Sequence, residues 1–197
     1  MNKLVYLFLF FVFTACGTSF SSVEKAIIYD SPESPARVLK INEKKDSIIL
    51  RTPSRNIKNS KKNKDLPLLV KKLHLTLLAE NGVGIAAPQI GINRNIFLFL
   101  RLDQPGHPVE VAINPKIISH SPEIICFQND GCLSVPDKYG NSQRYSWIEA
   151  EYTNIHGEKV RNKFLGGSRK EDYTGIIFQH EYDHIQGKLY IDKLCEP

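Results

Sequence analysis

The sequence predicts one α+β domain, and three observations support that prediction. Apolar residues recur at helical spacing from Leu66 to Leu77, short β-rich runs follow between Ile96 and Leu165, and a second helical pattern lies near the end of the chain. Helix, antiparallel-type strands and then helix is the order typical of an α+β fold. The chain has 197 residues, of which 42% are hydrophobic and 24% charged, which is enough for one globular domain and short for two.

The first residues differ in composition from the rest. A positively charged start, Met1-Asn2-Lys3, is followed by an apolar run, Leu4 to Phe13, and by Thr14-Ala15-Cys16-Gly17. These features describe a secretory signal, and the apolar run is too short to span a membrane, which takes about 20 residues. Cys16 after Thr-Ala resembles the lipobox of bacterial lipoproteins, in which that Cys is lipidated.

Residues 1–15 are therefore predicted to be a lipoprotein-type signal peptide, with membrane attachment through lipidated Cys16. Two alternatives stay open, an uncleaved apolar anchor and a start codon other than ATG further along the chain. If the signal is not functional, the protein would be cytoplasmic.

The following segment, residues 16–46, is rich in Ser, Pro and charged residues and is expected to be a tether with one strand at Ala26–Tyr29. Ser47–Arg51 is expected to be the first strand of a domain covering residues 47–197. The Lys/Asn stretch 56–64 is predicted to be a solvated loop. No aromatic side chains interleave with its lysines to stack on bases, so the net charge of +5 does not indicate nucleic-acid binding.

The first helix of the domain is predicted to start after Asp65, its N-cap, with Pro67 in the first turn, and to end at Glu80-Asn81-Gly82. A hairpin turn is predicted at Asn154–Glu158, which contains Gly157. The β-rich runs predicted as strands are Ile96–Leu100, Val111–Ile113, Lys116–Ser119, Trp147–Tyr152 and Lys159–Leu165.

The last helix is predicted to open on a capping box, Ser168-Arg169-Lys170-Glu171, and to end before Gly187. Its apolar face comprises Tyr173, Ile176, Ile177 and Ile185.

This helix contains His180-Glu181-Tyr182-Asp183-His184. Because His180 and His184 lie one turn apart on the same face, both imidazoles can reach one metal ion. Glu181 can reach a water beside the metal without ligating it, which is the general-base geometry of a metallohydrolase. The alternative is a pair of surface histidines around a solvated acid. Nearby Ile176 and Ile177 weigh against it, because charged groups beside an apolar face need partners.

A catalytic site of this type needs a third protein ligand. Tyr190 stands where one protease class has a third His, so the ligand is expected upstream, and Cys132 is the best candidate. Gly131 before it would let the backbone bend close to a metal. Cys195 is a weaker rival, and a buried structural thiol is the alternative for Cys132. The sequence has no Cys-x-x-Cys pair, and Cys126 and Cys195 are expected to serve in packing.

A third segment, Gly82 to Gly91, is dense in small residues, which suits a backbone that must approach something closely. It lacks the Lys-Ser/Thr of a phosphate loop. Its polar side chain, Gln89, could donate a hydrogen bond to a developing oxyanion. A helix-to-strand turn with an incidental Gln is the alternative.

Together these segments resemble the peptide deformylase family. The family motifs Gly-x-Gly-x-Ala-Ala-x-Gln, Glu-Gly-Cys-Leu-Ser and His-Glu-x-x-His stand here as Gly82 to Gln89, Asp130 to Ser134 and His180 to His184. Lesser matches are Thr76, Asn114-Pro115 and Gly187-Lys188-Leu189. The resemblance covers residues 47–194. It implies the α+β deformylase fold, with antiparallel strands around a C-terminal metal-binding helix.

The resemblance also implies roles for individual residues. Cys132, His180 and His184 would hold one divalent metal, Fe(II) in most members, with zinc or nickel as substitutes. Glu181 would move the proton of the attacking water to the leaving amine. Gln89 and the backbone N–H of Leu133 would stabilise the oxyanion, and Gly82 and Gly84 would let the substrate backbone lie alongside as an added strand.

The implied reaction is hydrolysis of the N-formyl group of N-formylmethionyl peptides, which releases formate, by a protein expected to be a monomer. Asp130 replaces the Glu of the family motif. Two rival hypotheses stay open: a weak or inactive deformylase-like lipoprotein that binds formyl peptides or metal, and a zinc endopeptidase, which the absent downstream ligand disfavours.

Overall fold

The structure, a computed structural model, describes residues 20–196, so the predicted signal peptide lies outside it. The helices are α1 (Ser22–Tyr29), α2 (Lys44–Leu50), α3 (Leu66–Ala79) and α4 (Thr174–Ile185). The strands are β1 (Gly84–Ala86), β2 (Ile96–Leu100), β3 (Val109–His120), β4 (Ile124–Cys132), β5 (Val135–Tyr145), β6 (Trp147–Thr153) and β7 (Lys159–Leu165). Short 3-10 turns occupy Ser60–Lys62, Ala87–Ile90 and Tyr190–Lys193. No helix of residues 20–196 is long and apolar enough to cross a membrane.

Five strands form one antiparallel sheet in the order β1-β2-β3-β6-β7, and β4 pairs with β5 in a separate hairpin. The interior strand β2 is apolar at every position, and both of its faces are covered. Ile96 and Leu98 point into the cluster that contains α3. Phe97 and Phe99 point to the other face, where Phe178 of α4 meets their rings edge-on at 4.9 and 5.2 Å. This aromatic contact fixes α4 across the sheet.

The α+β class and several elements are confirmed. β2 and β7 have the predicted bounds, and the hairpin turn at 154–158 joins β6 to β7 with Gly157 at φ +78°. The runs predicted at Val111–Ile113 and Lys116–Ser119 belong to one strand, β3, whose pairing with β6 contains register shifts. The β4–β5 hairpin was not predicted, because its strands contain too many polar residues to show the alternation of apolar and polar side chains that marks a strand.

The strands expected at Ala26–Tyr29 and Ser47–Arg51 are wrong, because both stretches are helical. Ser21 starts α1 with a capping box: its backbone N–H donates to Glu24 Oε2 (2.6 Å) and its hydroxyl accepts from Glu24 N–H (3.2 Å). The cap and the burial of Ile28 outweigh the β propensity of the run.

The tether predicted over residues 16–46 is wrong for residues 20–46, the part of it that the structure describes. From Phe20 onward the chain packs on the core, where Phe20 and Ile28 are buried. Glu24 forms a buried ion pair with Arg94 at 2.6 Å. The folded body therefore includes residues 20–46, which the sequence analysis placed outside the domain.

The helix ends also differ from expectation. α4 begins at Thr174, whose N–H donates to Asp172 Oδ1 (2.9 Å), whereas Ser168 and Glu171 close a separate turn before it. Asp65 precedes α3 without capping it through its side chain. The left-handed residue that ends α3 is Asn81, at φ +51°, instead of Gly82.

The packing role expected for Cys126 and Cys195 is wrong, because the two form a disulfide. The bond joins β4 to the segment after the last 3-10 turn, where Cys195 N–H also donates to Asn141 O (3.0 Å). The two cysteines are 69 positions apart in the sequence, and nothing in the sequence signalled their pairing.

Candidate active site

The end of β4 and one face of α4 bring together three side chains that could hold a metal ion. One ligand atom from each of Cys132, His180 and His184 lies within 4.8 Å of the other two. Cys132 Sγ is 3.2 Å from His184 Nε2. A thiolate and two imidazoles with room for a further ligand suit a catalytic divalent ion. Cys195, the rival ligand, is bonded to Cys126 and cannot serve.

A buried network holds the first of these histidines. Nδ1 of His180 donates to Asp130 Oδ1 (3.1 Å), which leaves Nε2 free to ligate. Arg144, whose side chain is fully buried, donates to Asp130 Oδ2 (2.8 Å) and to Asp183 Oδ2 (2.6 Å). Ser142 completes the network by donating to Asp130 Oδ2 (2.5 Å). The imidazole of His180 is therefore oriented by a carboxylate that is itself fixed.

Charge and burial set the protonation of this network. Burial alone would raise the pKa of Asp130, but the charges of His180 and Arg144 hold it well below its usual range. Burial opposes protonation of His180, yet the adjacent Asp130 carboxylate raises its pKa well above the usual value. Burial and the neighbouring His180 lower the pKa of His184 well below the usual value, which favours the neutral, ligating form.

Glu181 stands beside the three ligand residues and lines the cavity. Burial raises its pKa to about 8, and its Oε2 has no hydrogen-bond partner among residues 20–196. A Cβ on Gly84 would lie 2.5 Å from Glu181 Oε1, so only glycine lets β1 approach this carboxyl. The arrangement suits a proton acceptor that faces the substrate space.

Gln89 lies in the 3-10 turn that follows β1. Its Oε1 accepts from Ala86 N–H (2.8 Å), which turns Nε2 toward Cys132 Sγ at 3.9 Å and Ser134 Oγ at 3.4 Å. Lys40 Nζ donates to the carbonyl of Leu133 (2.7 Å) and steadies the backbone beside Cys132. The side chain of Gln89 is held with its donor facing the candidate metal ligands.

Gln89, Cys132, His180 and Glu181 are among the residues that line a cavity of about 420 Å³. Gly82 and Gly84 form one wall, and an apolar part is lined by side chains that include Phe127, Tyr173 and Ile177. The structure thus brings together every site residue expected from the sequence. Sequence reasoning missed the supporting residues, above all the buried Arg144 and the half-buried Lys40. Arg144 gave no signal in a single sequence, because an Arg in a polar strand is ordinarily exposed.

The sequence and the fold are similar to known proteins. The family model described as "Polypeptide deformylase" matches residues 35–197. The peptide deformylase of Pseudothermotoga lettingae is 39% identical over 144 residues, which cover 73% of this chain and 76% of that protein. That of Synechocystis is 34% identical over 150 residues, 76% of this chain and 75% of that one.

Solved structures agree. A class I type b peptide deformylase from Acinetobacter baumannii, bound to Met-Ala-Ser, superposes with a TM-score of 0.70 and 30% identity over 82% of this chain and 99% of that one. The Thermotoga maritima peptide deformylase gives a TM-score of 0.70 and 28% identity over the same shares. The chain belongs to the peptide deformylase family, metal-dependent hydrolases that remove the N-formyl group from peptides.

Proposed function

We propose that this chain hydrolyses the formyl amide of N-formylmethionyl peptides with Cys132, His180 and His184 as metal ligands and Glu181 as the general base. The observation that supports it most is the convergence of three ligand atoms within 4.8 Å beside a buried, unpartnered carboxyl oxygen. Cys132, His180 and Glu181 line the same cavity.

The donor set fits a divalent ion. One thiolate and two imidazoles suit Fe(II), zinc or nickel, and the family resemblance favours Fe(II). When bound, the ion would supply Lewis acidity to the attacking water and to the formyl oxygen. Asp130 keeps its charge near His180 although it is one methylene shorter than the Glu of the family motif, and it still contacts both His180 and Arg144.

Each remaining residue then has one task. Glu181 accepts a proton from the water that adds to the formyl carbon and returns it to the amine nitrogen as the C–N bond breaks. Nε2 of Gln89 and the backbone N–H of Leu133 donate to the oxyanion, contacts worth about 2.7–4 kcal/mol each in comparable sites. Formate and a peptide with a free N-terminus are the products.

The cavity suits an extended peptide. The backbone at Gly82 and Gly84 forms one wall, alongside which a substrate strand can pair, and the apolar pocket at Tyr173 and Ile177 takes the methionine side chain. The Acinetobacter relative crystallised with Met-Ala-Ser supports a peptide ligand for this fold.

We also propose that the chain is exported and anchored through lipidated Cys16. The signal-like residues 1–15 support this. The Cys126–Cys195 disulfide supports it independently, because disulfides persist outside the reducing cytosol. The substrates would then be exported N-formyl peptides. Labelling with palmitate should be lost in Cys16→Ser, and labelling unchanged by that substitution would contradict the anchor.

The residue roles are tested with Glu181→Gln and Cys132→Ser. Glu181→Gln should bind one equivalent of metal and release no formate, since only the proton acceptor is removed. Cys132→Ser should lose metal affinity. Retained turnover in the first variant, or unchanged metal content in the second, would remove those assignments.

A further inference from the structure

The segment Arg55 to Lys64 is the most strongly charged stretch of the chain, with five basic residues and no acidic one. Lys58, Lys61, Lys62 and Lys64 are exposed, and within residues 20–196 none of the four forms an ion pair. Lysines this close together create a local positive potential that attracts an anionic partner. We call these four lysines the basic segment.

A concave surface adjoins the basic segment. It encloses about 480 Å³ and is lined by Lys61, Lys62 and Lys159 together with the polar side chains of Asn59 and Asn114, without a carboxylate among its lining residues. The aliphatic stem of Lys61 lies against the backbone of Gly157, so close that a Cβ at this position would clash with it. The hollow therefore presents positive charge to an anionic group.

The same region carries apolar surface and adjoins the start of the described chain. Ile155, in the β6–β7 turn next to the hollow, is 40% exposed. Asp65, which directly follows the basic segment, accepts from Tyr29 Oη (2.7 Å) and pairs with Lys25 (3.2 Å), so the segment ends against α1. Clusters of four or more Lys or Arg residues near a membrane-attached segment are typical of surfaces that bind anionic lipid.

We propose that this face docks on an anionic lipid surface, with headgroup phosphates in the hollow. The charge is complementary, and α1 follows the apolar run Leu4 to Phe13 in the sequence. The hollow shares no lining residue with the active-site cavity, so docking leaves that cavity free. The inference goes beyond the deformylase activity and holds whether a lipid on Cys16 or the apolar run itself anchors the chain.

The test is a lysine-acetylation footprint of the full, metal-loaded chain reconstituted in vesicles, read by mass spectrometry. Labelling of the basic segment and of Lys159 should be roughly threefold or more lower in vesicles that contain phosphatidylglycerol than in vesicles of phosphatidylcholine alone. The protection should disappear at about 1 M salt, where the screening length is about 3 Å. Formate release should not change.

Two variants of equal charge make the result specific. Replacing the four lysines of the basic segment by Gln should abolish the protection of Lys159. The matched control replaces four exposed lysines elsewhere by Gln, at positions 44, 45, 170 and 188, and should keep it. Equal labelling in both kinds of vesicle would overturn the proposal. So would protection of the same lysines by a short RNA without vesicles, which would assign the face to nucleic acid instead.

Discussion

The support of the metal site by Arg144 gives the sharpest stability prediction. Its guanidinium is fully buried and bridges two carboxylates, Asp130 at 2.8 Å and Asp183 at 2.6 Å, whose side chains are 6% and 8% exposed. Arg144→Met removes the positive charge and leaves both carboxylates buried and underpaired. Breaking a buried pair from one side costs about 3–5 kcal/mol, so the free energy of unfolding should fall by at least that range.

The assay is equilibrium denaturation of the wild type and the variant. The dependence of the unfolding free energy on denaturant concentration should be the same for both proteins, which shows that the same transition is compared. Arg144→Lys is the matched control: it keeps the charge and should recover part of the loss, but cannot donate to both carboxylates as a planar fork. Because Asp130 orients His180, Arg144→Met should also weaken metal binding, by roughly 10–100-fold. A loss below about 1 kcal/mol would refute the reasoning, because it would fit a solvated pair instead.

Three further predictions follow from single contacts. Gly84→Ala should push Glu181 aside, since the new Cβ would meet its Oε1 at 2.5 Å; kcat should fall with metal content unchanged, and an unaffected kcat would contradict the contact. Gln89→Ala should lower kcat by about 10²–10³-fold with little change in KM; a change in KM alone would assign Gln89 to ground-state binding. Burial acts to raise the pKa of Glu24, but hydrogen bonds from Arg94 and Ser21 together lower it below its unfolded value of 4.5. These contacts therefore stabilise the fold above that pH, and the benefit is lost as the pH falls through the folded pKa. Melting temperatures of the wild type and Glu24→Gln should differ at neutral pH and converge in acid, and a constant difference would oppose this.

The candidate site was largely predictable because its chemistry depends on local spacing. His180 and His184 share a helix face by periodicity alone, and the motifs around Gln89 and Cys132 are short and contiguous. Their convergence depends on tertiary contacts, which the need for a third metal ligand and the family resemblance anticipated.

The parts that were missed depend on distant partners. α1 looked like a β-rich piece of a tether, but Glu24 meets Arg94 seventy residues away. Cys126 and Cys195 pair across a separation of 69 residues. Arg144 is buried only because two carboxylates from other elements surround it. Such contacts join residues that are far apart in the sequence and meet only in the folded chain, so they leave no local pattern.

The most direct test of the account is formate release from N-formyl-Met-Ala-Ser by the full chain, purified without oxygen and shown to carry one equivalent of divalent metal. The account predicts stoichiometric formate and free Met-Ala-Ser from the wild type. One equivalent of bound metal without any formate would contradict it.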